Sequence, residues 1–156
     1  MYSPSQDEKL NANYDGVSRK RSTFSLQNPE GLELHCTYLR ELGGKPRPVL
    51  IYLHGNGGNK QEGEDWIGET CFQYGLDLFT FDFSSCGNGD GEWVTMGLKE
   101  KEDLKTVVNW LQNDQNVSGI MIWGRSMGAA TAIMAIPEIK SSKLKGAILD
   151  SPFASL

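Results

Sequence analysis

Cysteine and long apolar runs are scarce in this chain of 156 residues. The three cysteines, Cys36, Cys71 and Cys86, are odd in number and too widely spaced for a disulfide framework or a CxxC metal pair. Each is therefore predicted to be a small buried hydrophobe. No apolar run is long enough to span a bilayer, and the polar N-terminus lacks the apolar stretch of a secretory signal. We expect a cytoplasmic protein with no membrane segment, no metal and no cofactor.

Basic residues are also too few to form a binding stripe. The sequence has 20 acidic and 15 basic residues, for a net charge of −5, and its lysines and arginines are scattered. This charge argues against nucleic acid as a partner. The hydrophobic share of 38% is that of an ordinary globular domain with one core.

Hydrophobic patterning divides the chain into a polar N-terminal arm, residues 1–21, and one domain, residues 22–156. The domain opens with two alternating segments, Ser22–Leu26 and Leu32–Leu39, joined by a turn at Asn28–Gly31. This pattern predicts an antiparallel hairpin.

Continuous apolar strands and helical stripes alternate after the hairpin. The predicted strands are Val49–Leu53, Leu76–Phe81, Gly119–Trp123 and Ala147–Asp150. Two predicted helices have an apolar stripe. The first has Trp66, Ile67, Thr70, Cys71 and Tyr74, and the second has Leu104, Val107, Val108 and Leu111, with Leu98 as an earlier candidate. The third, residues 127–136, is a helix of small residues that ends near Pro137. Alternating strands and helices predict an α/β fold with a doubly wound, mostly parallel sheet.

The sequence Gly124-Arg125-Ser126-Met127-Gly128 matches G-x-S-x-G between a predicted strand and a predicted helix. Such a turn holds the serine in a strained backbone conformation at the carboxyl end of the sheet, and small flanking residues avoid collisions of Cβ atoms with backbone. Ser126 is predicted to be a nucleophile, with the Met127 N–H facing a developing oxyanion. The alternative is a chance match, which the strand–helix context disfavours.

A glycine-rich loop, His54-Gly55-Asn56-Gly57-Gly58, follows the strand Val49–Leu53. Its free backbone N–H groups suit an anion, and Asn56 is the candidate for a second oxyanion donor. Phosphate binding is the rival interpretation, but the P-loop pattern G-x-x-x-x-G-K-[ST] is absent. A plain turn is the third.

Neither histidine is predicted to be the catalytic base. His54 ends a strand and precedes Ser126, whereas this kind of site orders its residues as Ser, acid, then His. We expect His54 to support the loop and His35 to be structural within its strand. Asp82 ends another strand before a glycine-dense turn, and we expect it to organise that turn.

These motifs together, with Leu149-Asp150-Ser151-Pro152-Phe153, resemble the α/β-hydrolase superfamily. More narrowly, the chain looks like the serine-aminopeptidase-like (S33-type) or Bem46-like branch. Relatives usually carry Ser where this chain has Gly89. The resemblance covers about residues 22–156 and implies a serine hydrolase acting on a small acyl-containing substrate.

No histidine follows Ser126. The resemblance implies further strand–helix units that carry the acid and then the histidine, and it makes Asp150 a structural residue. We therefore expect the N-terminal part of an α/β-hydrolase domain, truncated after the strand that follows the nucleophile turn. Two functions stand: a serine hydrolase completed by a longer chain, or a non-catalytic remnant or binding module that keeps the fold.

Overall fold

The computed structural model describes residues 6–10, 17–43 and 45–153. These residues form a sheet whose seven strands lie in the spatial order β1-β2-β3-β5-β4-β6-β7. In chain order the strands are Gln6–Leu10 (β1), Arg19–Gln27 (β2), Glu33–Glu41 (β3), Arg47–Leu53 (β4), Asp77–Phe81 (β5), Val117–Arg125 (β6) and Leu144–Asp150 (β7). The helices are Gln61–Gln73 (α1), Glu100–Gln112 (α2) and Met127–Ala135 (α3), followed by a 3₁₀ turn at Ile136–Glu138.

The sheet is antiparallel in its first half and parallel in its second. β1, β2, β3 and β5 pair antiparallel, whereas β4 pairs parallel with both β5 and β6, and β6 pairs parallel with β7. This arrangement confirms the predicted α/β fold, and the β2–β3 hairpin confirms the predicted opening. The sheet is mixed where a mostly parallel one was predicted, because β1, β2 and β3 add three antiparallel pairings. β1 lies inside the segment predicted as an arm, and the division of the chain at residue 21 stays a prediction.

Helices cover both faces of the sheet. The larger core packs the sheet against α2 and α3, with Leu104 and Val107 of α2 and Ala132 of α3 fully buried. The smaller core packs Leu50 and Leu78 of the sheet against Ile67 of α1. Parallel strands β4 and β6 are thus apolar on both sides, which explains their continuous apolar runs.

The predicted face of α1 is wrong in part. Ile67 and Cys71 are buried as expected, but Thr70 is exposed, and Trp66 and Tyr74 are 57% and 78% exposed. The reason is the close approach of the helix to the sheet at Gly63, where an added Cβ would lie 2.6 Å from Thr80 Cγ2. Small side chains fit that contact and large aromatic ones do not.

The stripe of α2 is confirmed, except for the earlier candidate. Leu98 precedes the helix and is 67% exposed. All three cysteines are free and buried, as predicted. Burial raises the pKa of Cys71 and of Cys86 to about 11, so both stay protonated thiols at neutral pH. In the part of the chain that the structure describes, no helix is long and apolar enough to cross a membrane.

The last described strand forms an open edge of the sheet. β7 pairs with β6 on one side, and every residue from Lys145 to Asp150 is exposed. Ile148 and Leu149 are 43% and 40% exposed, although the apolar pattern of Ala147–Asp150 predicts a buried strand. An apolar strand edge in this state is open to pairing with a further strand.

Candidate active site

Ser126 lies at a sharp turn between β6 and α3. Its backbone dihedrals are φ 51° and ψ −111°, a conformation that non-glycine residues rarely adopt. Such strain costs about 1–3 kcal/mol and persists only where the surroundings impose it. The prediction of a strained strand–helix turn is confirmed.

Gly124 and Gly128 make this turn sterically feasible. A Cβ on Gly124 would lie 2.5 Å from the carbonyl oxygen of Gly128, and a Cβ on Gly128 would overlap the carbonyl oxygen of Leu53. Both obstacles are backbone atoms, which cannot rotate away as a side chain can. The two glycines let α3 pack directly against β6 and against the end of β4.

The His54–Gly58 loop lies beside Ser126, as predicted. A Cβ on Gly55 would lie 3.6 Å from Ser126 Cβ and 3.7 Å from the carbonyl oxygen of Arg125. The parallel pairing of β4 with β6 brings Leu53 opposite Gly124, so the two following loops leave the sheet side by side. The loop itself closes with a hydrogen bond from Gly58 N–H to the carbonyl of Gly55, at 3.0 Å.

One backbone N–H group near Ser126 makes a structural hydrogen bond, and two others are candidates to face a substrate oxygen. The Ser126 N–H donates to the carbonyl of Asp150 at 2.8 Å, which ties the turn to β7. Met127 opens α3, where first-turn N–H groups have no acceptor within the helix. Asn56 is exposed one residue beyond Gly55. Met127 and Asn56 therefore remain the candidates for oxyanion donors.

His54 is fully buried and both of its ring nitrogens are engaged. Nε2 accepts the Phe83 N–H at 3.3 Å, so Nε2 carries no proton. The proton is on Nδ1, which donates to the carbonyl of Gly55 at 2.8 Å. The ring also packs edge-on against Phe83 at 5.0 Å between centroids. His54 thus links the loop to the end of β5 and has no free nitrogen to take a proton from Ser126.

Burial lowers the pKa of His54 below its ordinary value of 6.5, which makes the stability of the fold depend on pH. Between the lowered folded pKa and 6.5, the unfolded chain binds the extra proton. The free energy of unfolding should therefore fall as pH falls below about 6.5, by at most about 1.4 kcal/mol per pH unit from this group. Urea unfolding at pH 7.5, 6.5 and 5.5 measures this slope.

A His54→Gln variant serves as the comparison for that slope. Its amide oxygen can still accept the Phe83 N–H, but it has no titrating ring. The variant should lose the part of the slope due to His54, whereas Asp77 and Asp103, whose pKa values burial raises, stay in both proteins. Identical slopes in the two proteins would refute the buried neutral imidazole.

Asp82 braces the two loops, as predicted for a turn organiser. Its carboxylate accepts the N–H of Lys60 at 2.8 Å and of Asn88 at 3.2 Å. Gly87, at φ 56°, lies against this carboxylate, and a Cβ there would be 2.6 Å from Asp82 Oδ1. Asp82 is almost fully buried and joins the loop after β4 to the loop after β5.

A buried network centred on Asp103 was not predicted from the sequence. Asp103 accepts the N–H of Ser84 at 2.8 Å, the hydroxyl of Ser84 at 2.7 Å and the side-chain amide of Asn28 at 2.8 Å. Burial raises the pKa of Asp103, while these donated hydrogen bonds act in the opposite direction. The partners are 19 and 75 residues away in sequence, so no local pattern points to them.

Arg125 is a second feature that motif reading missed, since it stands at a variable position of G-x-S-x-G. Its guanidinium carbon lies 4.7 Å above the ring of Trp66 in α1. Both side chains are exposed. Among the residues described, no group of three or more histidine, cysteine or acidic side chains is placed to hold a metal ion.

The α/β-hydrolase family model, described as "alpha/beta hydrolase fold", matches residues 48–156. The chain belongs to this family, which confirms the predicted superfamily. The assignment to the S33-type or Bem46-like branch stays a prediction.

The chain is similar to several curated proteins and solved structures. It is 27% identical to lysophosphatidylserine lipase ABHD12 of Gallus gallus, over 72% of this chain and 30% of that protein. It is 29% identical to the monoglyceride lipase of Rattus norvegicus, over 81% and 42%. The structure of the Pyrococcus furiosus esterase Pf2001 matches with a TM-score of 0.73 and 26% identity, over 85% of this chain and 51% of that one. The chain thus spans between 30% and 51% of the length of these relatives.

Proposed function

We propose that the chain carries the nucleophile half of a serine hydrolase, with Ser126 as the nucleophile. The observation that carries this proposal is the strained Ser126 turn with Gly55 packed against it. A plain strand–helix connection would not need a positive φ at a serine, nor two glycines whose Cβ atoms would collide with backbone. The strain is the kind that lifts a side chain clear of the sheet for chemistry.

The proposed reaction is acyl transfer. Ser126 Oγ attacks the carbonyl carbon of the substrate and forms the new C–O bond, while its proton passes to a general base. The negative oxygen faces the N–H groups of Met127 and Asn56, and the positive end of α3 adds to that stabilisation. The leaving group takes the proton and departs. Water, deprotonated by the same base, then releases the acid and regenerates Ser126.

The general base and its acid partner are proposed to come from residues outside these 156. His54 is excluded because both ring nitrogens are engaged. His35 lies in β3, and two strands separate β3 from β6. At strand spacings near 4.8 Å, that separation is about 14 Å, beyond the reach of a hydrogen bond. The open edge at β7 is where further strands of the sheet would add.

Among acyl compounds, we propose a carboxylic ester as the substrate. The matched relatives are a lysophosphatidylserine lipase, a monoglyceride lipase and an esterase by name. An alkoxide also leaves more easily than the amine of an amide, so an ester needs less help from a general acid than a peptide bond does. The other candidate function, a non-catalytic module, is favoured only by the lack of a histidine after Ser126.

The test is hydrolysis of 4-nitrophenyl acetate by the longest natural reading frame that contains these 156 residues. Ser126→Ala should lower kcat by 10⁴-fold or more, since removal of a nucleophilic serine costs about 10⁶-fold in one protease. Ser118→Ala is the matched control, because Ser118 is an exposed serine of β6, the strand that leads into Ser126, and the kcat of this variant should stay at the wild-type value. An inactive parent enzyme would favour the non-catalytic module instead.

A further inference from the structure

We propose that Arg125 and Trp66 form a subsite that makes the enzyme prefer acyl substrates carrying a nearby anionic group. This inference rests on the proposed hydrolase function and adds the substrate class. The juxtaposition that carries it is an exposed guanidinium, held over an exposed indole, on the residue directly before the nucleophile.

The position of Arg125 is fixed by the same turn that fixes Ser126. Its carbonyl oxygen lies against the Gly55 position, 3.7 Å from where a Cβ would be. Along β6, the side chains of Met121 and Trp123 pack with the α1-side core, and Arg125 follows the same alternation. The guanidinium therefore stands on the α1 side of the sheet, on the residue that directly precedes Ser126.

The guanidinium is held in place but is not neutralised by an ion pair. Contact with the ring of Trp66 uses the face of the cation, and one side-chain hydrogen bond joins Arg125 to the hydroxyl of Tyr52. Because a guanidinium has five N–H donors, others are left for an acceptor. In the described part of the chain, Arg125 makes no salt bridge with a carboxylate. The nearby carboxylate of Glu62 accepts the hydroxyl of Tyr52 at 3.4 Å, and that of Asp150 accepts the hydroxyl of Ser151 at 2.8 Å.

The pKa of Tyr52 is consistent with this placement of charge. Burial and the Glu62 carboxylate raise the pKa of Tyr52 to about 12, whereas Arg125 acts to lower it. Arg125 therefore lies close enough to the Tyr52 hydroxyl to interact with it electrostatically. A pre-positioned arginine of this kind suits a carboxylate or phosphate, which can accept two parallel N–H bonds.

The anion could belong to a small soluble ester or to a lipid headgroup, and matched substrate pairs separate the two. The soluble pair is mono-4-nitrophenyl glutarate and 4-nitrophenyl valerate, which differ by a terminal carboxylate. The lipid pair is oleoyl lysophosphatidic acid and mono-oleoylglycerol in neutral detergent micelles, which differ by a phosphate. The enzyme is the longest natural reading frame, and the readout is the ratio of kcat/KM for the anionic over the neutral member.

In Arg125→Gln, that ratio should fall by about tenfold or more for the pair that matches the natural source, as expected for loss of a charged hydrogen bond. Arg125→Lys should give an intermediate ratio, because it keeps the charge without the planar fork. Arg40→Gln is the matched control, since Arg40 also lies over an aromatic ring, at 5.7 Å from Tyr38, in β3 at a distance from the site. Its ratios should equal those of the wild type.

Salt gives an independent readout. Raising ionic strength from 0.05 to 0.5 M should lower the anionic preference of the wild type and leave the ratio of Arg125→Gln unchanged. Equal ratios in wild type and Arg125→Gln for both pairs overturn the subsite while the hydrolase proposal stands. If the wild type hydrolyses none of the four substrates in a Ser126-dependent manner, the hydrolase proposal itself has failed.

Discussion

A fluorophosphonate probe is expected to leave Ser126 of the 156-residue chain unlabelled on the timescale of minutes on which intact serine hydrolases react. The probe needs an activated serine, and a serine hydroxyl is a poor nucleophile until a base takes its proton. His54, the histidine nearest to Ser126 along the sheet, has Nε2 accepting from Phe83 and Nδ1 donating to Gly55. An oxyanion site without a working triad retains only about 10³–10⁴-fold rate enhancement over water in one protease, far below an intact enzyme.

The same probe should label the longest natural reading frame within minutes and should fail to label its Ser126→Ala variant. Intact-mass spectrometry and peptide mapping locate the adduct. Circular dichroism of the 156-residue chain is the control. It must show that the chain is folded, because an unfolded chain would also remain unlabelled. Rapid labelling of Ser126 in the short chain would mean that a base acts within these residues.

Gly128→Ala is expected to be the most damaging single-methyl change in the site. The added Cβ would overlap the carbonyl oxygen and carbon of Leu53, which belong to the backbone of β4. Neither α3 nor β4 can yield without moving a buried element, because Met127 and Ala129 beside this glycine and Leu53 itself are fully buried. We expect a loss of about 3 kcal/mol or more in the free energy of unfolding, a large share of the 5–15 kcal/mol of a typical domain.

Gly146→Ala is the matched control for this change. Gly146 lies in β7 with nothing within 4 Å of an added Cβ. Alanine there should be neutral or stabilising by less than about 1 kcal/mol, because it also restricts the unfolded chain. The midpoint of urea unfolding measures both variants. Equal midpoints for the two would show that the contact of α3 with β4 is looser than the structure has it.

Local chemistry in the sequence is sufficient to predict the strained turn at Ser126. Gly124 and Gly128 flank Ser126 because backbone atoms lie too close to these two positions for any residue with a Cβ. Five consecutive residues, 124–128, are therefore enough to recognise the turn. The loop at His54–Gly58 was predictable for a similar reason, since it follows directly on a buried strand. The apolar strands were predictable because burial on both faces leaves continuous apolar runs.

The partners of His54 and Asp103 were decided by tertiary structure. His54 meets Phe83, 29 residues away, because β4 and β5 are neighbours in the sheet. Asp103 meets Asn28 and Ser84 because the start of α2 lies over the ends of β2 and β5, which no local period encodes.

The sequence by itself determined the order of elements from β2 onward, the α/β class and the position of Ser126, since each depends on neighbours within a few residues. Tertiary structure decided which face of α1 is buried, because the approach of Gly63 to Tyr52 and Thr80 depends on how far the helix can descend onto the sheet. It also decided the placement of Arg125 over Trp66, which requires α1 and β6 to meet across the fold. Contacts of this kind depend on distances between elements, and a linear pattern carries no such distances.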